Sequence, residues 1–157
     1  MSKEQLKLSY ENAEGLDGGR ISRNAAELQI EAGILRGYLA FDDGVAIGWC
    51  NANARSSYPI EPCTDTHFYA PLEKREKAVV CFEIAPEYRR KGIATALLQQ
   101  VITDAKTEGY IAVVSFPVIR DEDYEWDCTG PARLYEKFGF VKVEEQRKMT
   151  VMRKELT

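Results

Sequence analysis

Apolar and polar residues alternate along this chain in a way that predicts a mixture of strands and helices. Short apolar runs bounded by glycine, proline or aspartate indicate strands, and stretches with a period near 3.6 residues indicate helices. The expected helices are Ala25–Ala32, capped by Asn24 and ended by Gly33 or Gly37, then Lys91–Glu108 and Pro131–Phe138. The expected strands are Tyr38–Phe41 and Val45–Cys50 around an Asp42-Asp43-Gly44 turn, then Ala78–Ala85, Tyr110–Phe116, Phe140–Val143 and Lys148–Arg153. This order predicts an α+β fold in a single domain, residues 1–157.

Two segments lack such a pattern. Residues 1–20 are polar and contain three glycines, so we expect them to be loosely ordered apart from a candidate short strand at Gln5–Ser9. Residues 51–77 contain three prolines and no clear period, which predicts a long, partly helical connection. A connection of that length in a small domain is more often functional than idle.

Composition narrows the classes of function. The net charge of −4 argues against non-specific nucleic-acid binding, and no apolar run approaches the ~20 residues of a membrane span. The first residues lack the apolar core of a secretion signal, so we expect a cytoplasmic protein. The four cysteines include no C-x-x-C pair and His67 is the single histidine, so we expect no metal site. Cys50 and Cys81 lie in apolar runs and are expected to be buried thiols.

The clearest chemical signal is a basic turn between the strand Ala78–Ala85 and the helix that follows it. Arg89-Arg90-Lys91-Gly92-Ile93-Ala94 places three cations and a glycine where a helix begins. The first N–H groups of a helix lack partners within it, and the helix dipole is positive there. Such a turn predicts a socket for an anion, most often a phosphate.

This turn, through Arg89, Gly92 and Ala94, resembles the acetyl-CoA pyrophosphate loop of the GNAT N-acetyltransferase superfamily. A second stretch, from Ala132 through Tyr135 to Phe140, resembles the later GNAT signature. The resemblance covers about Leu35 to the C-terminus. It implies the GNAT fold, with a mixed, mostly antiparallel central sheet flanked by helices. In that fold the strands on either side of the long helix splay apart, and the acyl-CoA arm lies in the gap.

The resemblance also implies which residues would bind acetyl-CoA. The backbone of Arg90–Thr95 would hold the pyrophosphate, and the strand end would pair with the pantetheine amides through Ile84 and Ala85. The residues implied in cofactor binding are Ile84, Ala85, Arg89, Arg90, Lys91, Gly92, Ile93, Ala94 and Thr95.

Transfer of an acetyl group to an amine needs a base for the amine and an acid for the leaving thiolate. Glu83 is the candidate base, because it is the ionisable residue of an otherwise apolar strand and burial would raise its pKa. Tyr135 is the candidate acid, since the GNAT resemblance implies that its hydroxyl faces the CoA sulfur. Its alternative role is that of an aromatic core residue. Cys128 stands where GNAT proteins often carry an asparagine that contacts the CoA arm.

Features for the acceptor are less specific. The acidic run Asp121–Asp127, with Tyr124 and Trp126, would favour a cationic amine, although it is also typical of a solvated loop. Trp49, Cys50 and Asn51–Tyr58 are further candidates for the cleft wall, and His67 is a candidate substrate contact or alternative base. We expect a small-molecule or peptide amine as substrate. By analogy with other GNAT proteins, a homodimer is also expected.

Three functions remain open at this stage. The leading hypothesis is an acetyl-CoA-dependent N-acetyltransferase that transfers the acetyl group directly in a ternary complex. The second is a non-catalytic acyl-CoA-binding or regulatory module, which would need the loop but neither Glu83 nor Tyr135. The third is an acyltransferase with a longer acyl chain or an oxygen acceptor.

Overall fold

A computed structural model describes residues 18–58, 75–118, 128–146 and 149–157. The strand expected at Gln5–Ser9, His67 and the acidic run Asp121–Asp127 lie outside the described residues. The chain divides into two compact units, residues 1–36 and 37–157. In the described ranges, no helix is long and apolar enough to cross a membrane.

The described part of the first unit is the helix α1, Gly18–Glu31. It begins at Gly18 rather than Ala25, so the prediction that residues 18–20 are loosely ordered is wrong. The hydrophobic period does not indicate the first turn of α1, because two glycines there weaken the helical signal. The predicted end is confirmed: the N–H groups of Gly33 and Ile34 donate to the carbonyls of Ile30 and Gln29. This pair of bonds closes the helix around Gly33, which has a φ of +69°.

The second unit contains one six-stranded sheet in the order β1-β2-β3-β4-β6-β5. The neighbours β3 and β4 are parallel, and every other pairing is antiparallel. The predicted α+β class with a mixed, mostly antiparallel sheet is therefore confirmed. The strands are β1 Gly37–Asp42, β2 Val45–Ala54, β3 Glu76–Ile84, β4 Ala112–Ser115, β5 Val141–Gln146 and β6 Met149–Glu155. The helices of this unit are α2 Ile93–Thr107 and α3 Ala132–Glu136.

The main core lies between the sheet and the two helices α2 and α3. The apolar stripe predicted on the long helix is buried, and its members are Leu97, Leu98, Val101, Ile102 and Ala105. Leu134 and Tyr135 of α3 belong to the same cluster. Gly48 of β2 lets α2 approach the sheet closely, because a Cβ atom there would lie 2.9 Å from both Ile84 Cδ1 and Ile93 Cγ2. The first turn of α2 is therefore seated against β2 and β3.

Two strands extend farther than predicted. β2 continues past Cys50 to Ala54, where a short 3₁₀ helix, Arg55–Ser57, follows. β3 begins at Glu76 rather than Ala78, and both of its first two residues are buried. The prediction stopped short because charged residues are poor candidates for a central strand.

Each of these two buried charges is compensated on its own face of the sheet. The Glu76 carboxylate accepts from Arg55 Nη1 at 2.6 Å and from Arg153 Nε at 2.9 Å. Lys77 Nζ lies 2.9 Å from both the Tyr38 hydroxyl and the Glu108 carboxylate. Burial works against the ammonium, but these two hydrogen bonds outweigh it and raise the pKa of Lys77.

We expect Glu76→Gln to lower the free energy of unfolding by roughly 3 kcal/mol, because it leaves two guanidinium groups without their shared anion. Chemical denaturation followed by circular dichroism measures this loss. Glu87→Gln, at an exposed position, is the control and should change the free energy of unfolding by less than about 0.5 kcal/mol. Equal effects of the two substitutions would contradict a stabilising role for the Glu76 network.

Candidate active site

β3 and β4 separate after four paired residues. Glu76–Val79 pair with Ala112–Ser115, and β3 then continues to Ile84 without a partner from β4. Beyond β4, Val118 forms a bridge with Met149 instead. The divergence implied by the GNAT resemblance is thus confirmed, and it leaves a gap beside the second half of β3.

A short turn at residues 128–130 forms one wall of this gap. The Phe82 N–H donates to the Cys128 carbonyl at 2.6 Å, which attaches the turn to β3. The Val118 N–H donates to Thr129 Oγ1 at 3.2 Å, which attaches it to the segment after β4. Both sides of the gap are therefore bonded to the same three residues.

An open cleft of about 810 Å³ extends from the gap to the basic loop. It is bounded by the end of β3, the loop, the first turn of α2, the 128–130 turn and α3. The described lining residues are Phe82, Glu83, Ile84, Tyr88, Arg89, Arg90, Gly92, Ile93, Ala94, Thr95, Cys128, Gly130, Pro131, Arg133, Leu134 and Lys137. Most of the predicted cofactor-binding residues are thus brought together along one surface.

The basic loop holds an uncommon backbone conformation just before α2. Arg90 has a φ of +61° and Gly92 a φ of +85°, and left-handed values are unusual for an arginine. A Cβ atom at Gly92 would meet nothing within 4 Å, so the space beside it is open. The first bond inside α2 runs from the Ala96 N–H to the Gly92 carbonyl, at 3.0 Å. The N–H groups of Ile93, Ala94 and Thr95 precede that bond and therefore lack partners within the helix.

Side chains of the loop fasten it to its surroundings. Arg89 Nε donates to the Ile84 carbonyl at 3.2 Å, and the Tyr88 hydroxyl donates to Asp42 Oδ2 at 2.8 Å. That hydrogen bond, followed by the carboxylate charge, raises the pKa of Tyr88. Lys91 departs from the prediction: it does not line the cleft, and its ammonium lies 5.1 Å from the centre of the Tyr88 ring. This cation–π contact accounts for the absence of Lys91 from the lining.

The backbone at the end of β3 offers one gap-facing residue rather than two. The Ala85 N–H donates to the Ile47 carbonyl at 3.0 Å, so this residue faces β2. Because backbone groups alternate sides along a strand, Ile84 faces the gap. The prediction that Ala85 pairs with a cofactor amide is therefore wrong, while Ile84 keeps its expected position.

Glu83 lines the cleft, but its surroundings differ from those predicted. Its side chain is exposed, so the buried setting expected for it is absent. The strand leaves the sheet interior at this point because β4 no longer covers it. Trp49 pairs with Glu83 across β2 and β3, but its indole lies over β1, because a Cβ atom at Gly37 would lie 2.6 Å from Trp49 Cη2.

Tyr135 is fully buried, and its hydroxyl donates to the Thr129 carbonyl at 2.6 Å. Its ring packs edge-to-face on Phe140, with 5.3 Å between the ring centres. This burial fits the alternative role of an aromatic core residue, and the role of Tyr135 as the acid stays a prediction. The hydroxyl nevertheless ends on Thr129, the middle residue of the turn that forms the cleft wall.

Cationic side chains dominate the lining. Arg89 and Arg90 approach from the loop, and Arg133 and Lys137 from α3. Glu83 is the one carboxylate among the described lining residues. The pair on α3 was not among the sequence candidates, although its spacing of four residues places both side chains on one helix face and could have indicated it. In the described ranges, no group of three or more His, Cys, Asp or Glu side chains could share a metal ion.

The family model for the acetyltransferase (GNAT) family matches residues 9–140. This chain belongs to the GNAT acetyltransferase family. The GNAT domain is an acyltransferase and carries out acetyl transfer, in agreement with the sequence prediction. No curated protein gives a significant match.

Solved structures show the same GNAT fold. An N-acetyltransferase from Staphylococcus aureus Mu50 superposes with a TM-score of 0.61 at 16% identity, over 100% of this chain and 96% of that one. Ard1 from Thermoplasma volcanium superposes with a TM-score of 0.55 at 15% identity, over 100% of this chain and 95% of that one. Arabidopsis thaliana Naa50, in complex with the bisubstrate analogue CoA-Ac-MVNAL, superposes with a TM-score of 0.51 at 17% identity. The superposition covers 74% of this chain and 70% of that one.

The three described cysteines, Cys50, Cys81 and Cys128, should differ sharply in reactivity. Burial raises the pKa of the Cys50 thiol to about 12 and that of Cys81 to about 11, whereas Cys128 is exposed. Only the thiolate is alkylated, and near pH 8 a thiol of pKa 11 is about one part in 10³ ionised.

We therefore expect iodoacetamide at pH 8 to modify Cys128 first, and Cys81 to react before Cys50 as the pH is raised towards 11. Peptide mapping by mass spectrometry gives the site-specific rates. The urea-unfolded chain is the control, in which all three should react alike. Fast alkylation of Cys50 in the folded protein would contradict the burial described for it.

Proposed function

We propose that this GNAT acetyltransferase transfers the acetyl group of acetyl-CoA directly to an amine while both substrates are bound. The observation that carries the proposal is the shape of the cleft. One end is a socket of helix amides preceded by left-handed Arg90 and Gly92, and the other end is the gap beside β3. A phosphate at the first end and a thioester at the second would span these two features.

In this proposal the pyrophosphate binds the N–H groups at the start of α2. The open space beside Gly92 supports this assignment, because phosphate oxygens need close access to the backbone. Arg89 and Arg90 add positive charge at the rim. The pantetheine arm then follows the end of β3, where the gap-facing backbone of Ile84 can pair with its amides as an added strand would.

Glu83 is the proposed base. An alkyl amine with a pKa near 10.4 is about one part in 10³ neutral at pH 7, so removal of its proton limits the attack. The Glu83 carboxylate is exposed to the cleft and lies at the gap, where the thioester carbonyl would sit. It can take the proton directly or through one water molecule.

Tyr135 is the proposed acid for the leaving CoA thiolate. Its hydroxyl is bonded to Thr129, whose neighbours Cys128 and Gly130 both line the cleft. To donate its proton to sulfur, the hydroxyl must give up its bond to the Thr129 carbonyl when the cofactor arrives. Hydrogen bonds of catalytic groups often rearrange in this way on substrate binding.

The proposed acceptor is the amine of a small molecule or a peptide. Naa50, whose fold this chain shares, was solved with an analogue that joins CoA to a peptide.

Gly92→Glu should abolish micromolar binding of acetyl-CoA, because it adds bulk and a negative charge to the phosphate socket. Isothermal titration calorimetry measures the affinity. Gly44→Glu is a matched control: Gly44 has a φ of +80° and also nothing within 4 Å of a Cβ atom, but it lies in the hairpin turn. Equal losses in the two variants would point to backbone strain rather than to a blocked site. An absence of binding by wild type would overturn the proposal.

Glu83→Gln should lower kcat/KM by roughly 10²- to 10⁴-fold, the range typical of a lost general base. The affinity for acetyl-CoA should stay within about two-fold. The assay follows thiol release with a panel of polyamines, amino acids and short peptides as acceptors. Glu87→Gln, outside the cleft, is the control. Unchanged turnover in Glu83→Gln would remove this residue from the mechanism.

Tyr135→Phe separates an acid from a structural residue. If Tyr135 is the acid, the substitution should mainly lower kcat, with little change in the KM for the acceptor. The part-buried hydrogen bond to the Thr129 carbonyl would also be lost, so the free energy of unfolding should fall by about 1 kcal/mol. A loss of stability with normal turnover would assign the hydroxyl to the core alone.

A further inference from the structure

The basic loop contains a strained residue that its surroundings must hold in place. Arg90 has a φ of +61°, and left-handed backbone is unfavourable for a residue that carries a Cβ atom. Such a conformation persists where the neighbouring structure enforces it. It also matters to a ligand, because successive N–H groups around a left-handed residue form a concave nest that binds anions. The contacts on either side of Arg90 therefore bear directly on the shape of the socket.

Tyr88 and Lys91 stand on either side of the strained residue and contact each other. The Lys91 ammonium lies 5.1 Å from the centre of the Tyr88 ring, so this cation–π contact spans the two arginines between them. The start of the loop is fixed as well. Tyr88 ends a 3₁₀ helix, Pro86–Tyr88, and its N–H donates to the Ala85 carbonyl at 2.8 Å. Both ends of the strained turn are therefore held.

Tyr88 is in turn attached to the edge of the sheet. Its hydroxyl donates to Asp42 Oδ2 at 2.8 Å, and the two residues are 46 positions apart in the chain. Asp42 is the last residue of β1, at the hairpin turn. Among the described residues Tyr88 lines the cleft, whereas Asp42 does not. An influence of Asp42 on a ligand in the cleft would therefore have to pass through Tyr88.

This hydrogen bond is better placed to order the loop than to stabilise the fold. Asp42 is exposed and Tyr88 is half-buried, and substitutions at such surface positions usually change the free energy of unfolding little. A bond to a carboxylate is nonetheless stronger than one between neutral groups. A loop that is already fixed in its binding conformation has less conformational entropy to lose when the ligand arrives.

We propose that Asp42 and Tyr88 are positioning residues, which hold Arg90 in its left-handed conformation and so preorganise the loop for the pyrophosphate of acyl-CoA. Lys91 contributes by its contact with the Tyr88 ring, although it does not itself line the cleft. This inference rests on the proposed function, since it takes acetyl-CoA as the ligand of the loop.

Calorimetric titration of acetyl-CoA into Tyr88→Phe, Asp42→Ala and the double variant tests this role. Each single variant should bind about three- to ten-fold more weakly than wild type, the effect of one lost hydrogen bond. The double variant should lose no more than either single variant, because both substitutions remove the same bond. Asp42→Asn keeps an oxygen that can accept from Tyr88, so it should retain nearly the affinity of wild type.

Two matched controls lie outside this arrangement. Tyr110→Phe removes a tyrosine hydroxyl beyond the far end of α2, where the Tyr110 ring lies 5.4 Å from the Lys77 ammonium. Asp43→Asn removes a negative charge from the same hairpin turn as Asp42. Both should bind acetyl-CoA as wild type does, and thermal unfolding verifies that every variant is folded.

The outcomes separate this inference from the proposed function. Unchanged affinity in Tyr88→Phe and Asp42→Ala, or additive losses in the double variant, overturns the positioning role and leaves the proposed function intact. Equal losses in Asp42→Asn and Asp42→Ala would assign the effect to charge rather than to the bond, and would also overturn that role. A wild type that does not bind acetyl-CoA overturns both.

Discussion

Glu76 is the first residue of the segment over which β3 and β4 are paired, and it joins β3 to β6 and to the residue that follows β2. Its carboxylate binds Arg55, which follows β2, and Arg153 on β6, so it spans β4. Ala112 pairs with Glu76 on β4 and carries a small side chain, which leaves room for the ion pair to cross that strand. A buried carboxylate without these partners would be costly, so the network favours one arrangement of the strands.

The active site follows from that fixed starting point. With the strands held together at residues 76–79, the rest of β3 can leave β4 and still pair with β2 on its other side. The 128–130 turn then occupies part of the gap and is itself bonded to both sides. The open remainder, together with the first turn of α2, becomes the cleft. Stability is concentrated at one end of β3, and ligand access at the other.

Local patterns predicted much of this fold but could not predict its long-range compensations. The period of the hydrophobic residues was sufficient to predict α2, the β1–β2 hairpin and β4. It failed at Glu76, because its partners lie 21 and 77 residues away in the chain. The same limit explains Glu83: the sequence indicates an apolar strand, but its exposure depends on where β4 turns away. The loop was predictable because glycine, cations and a following helix are adjacent in sequence.

The backbone at the gap is already partly used by the chain itself, and this affects how a cofactor can bind. The Phe82 N–H is taken by Cys128, and the Ile84 carbonyl accepts from Arg89. An added pantetheine strand therefore meets a short edge, with the Ile84 N–H as its gap-facing donor. In the proposed binding mode few backbone bonds are available to the arm, whereas the phosphate end would meet three helix amides and several cations. Most of the binding free energy should then come from the phosphates, which act as an anchor for a lightly held thioester. Such an arm can shift towards the acceptor while the nucleotide remains bound.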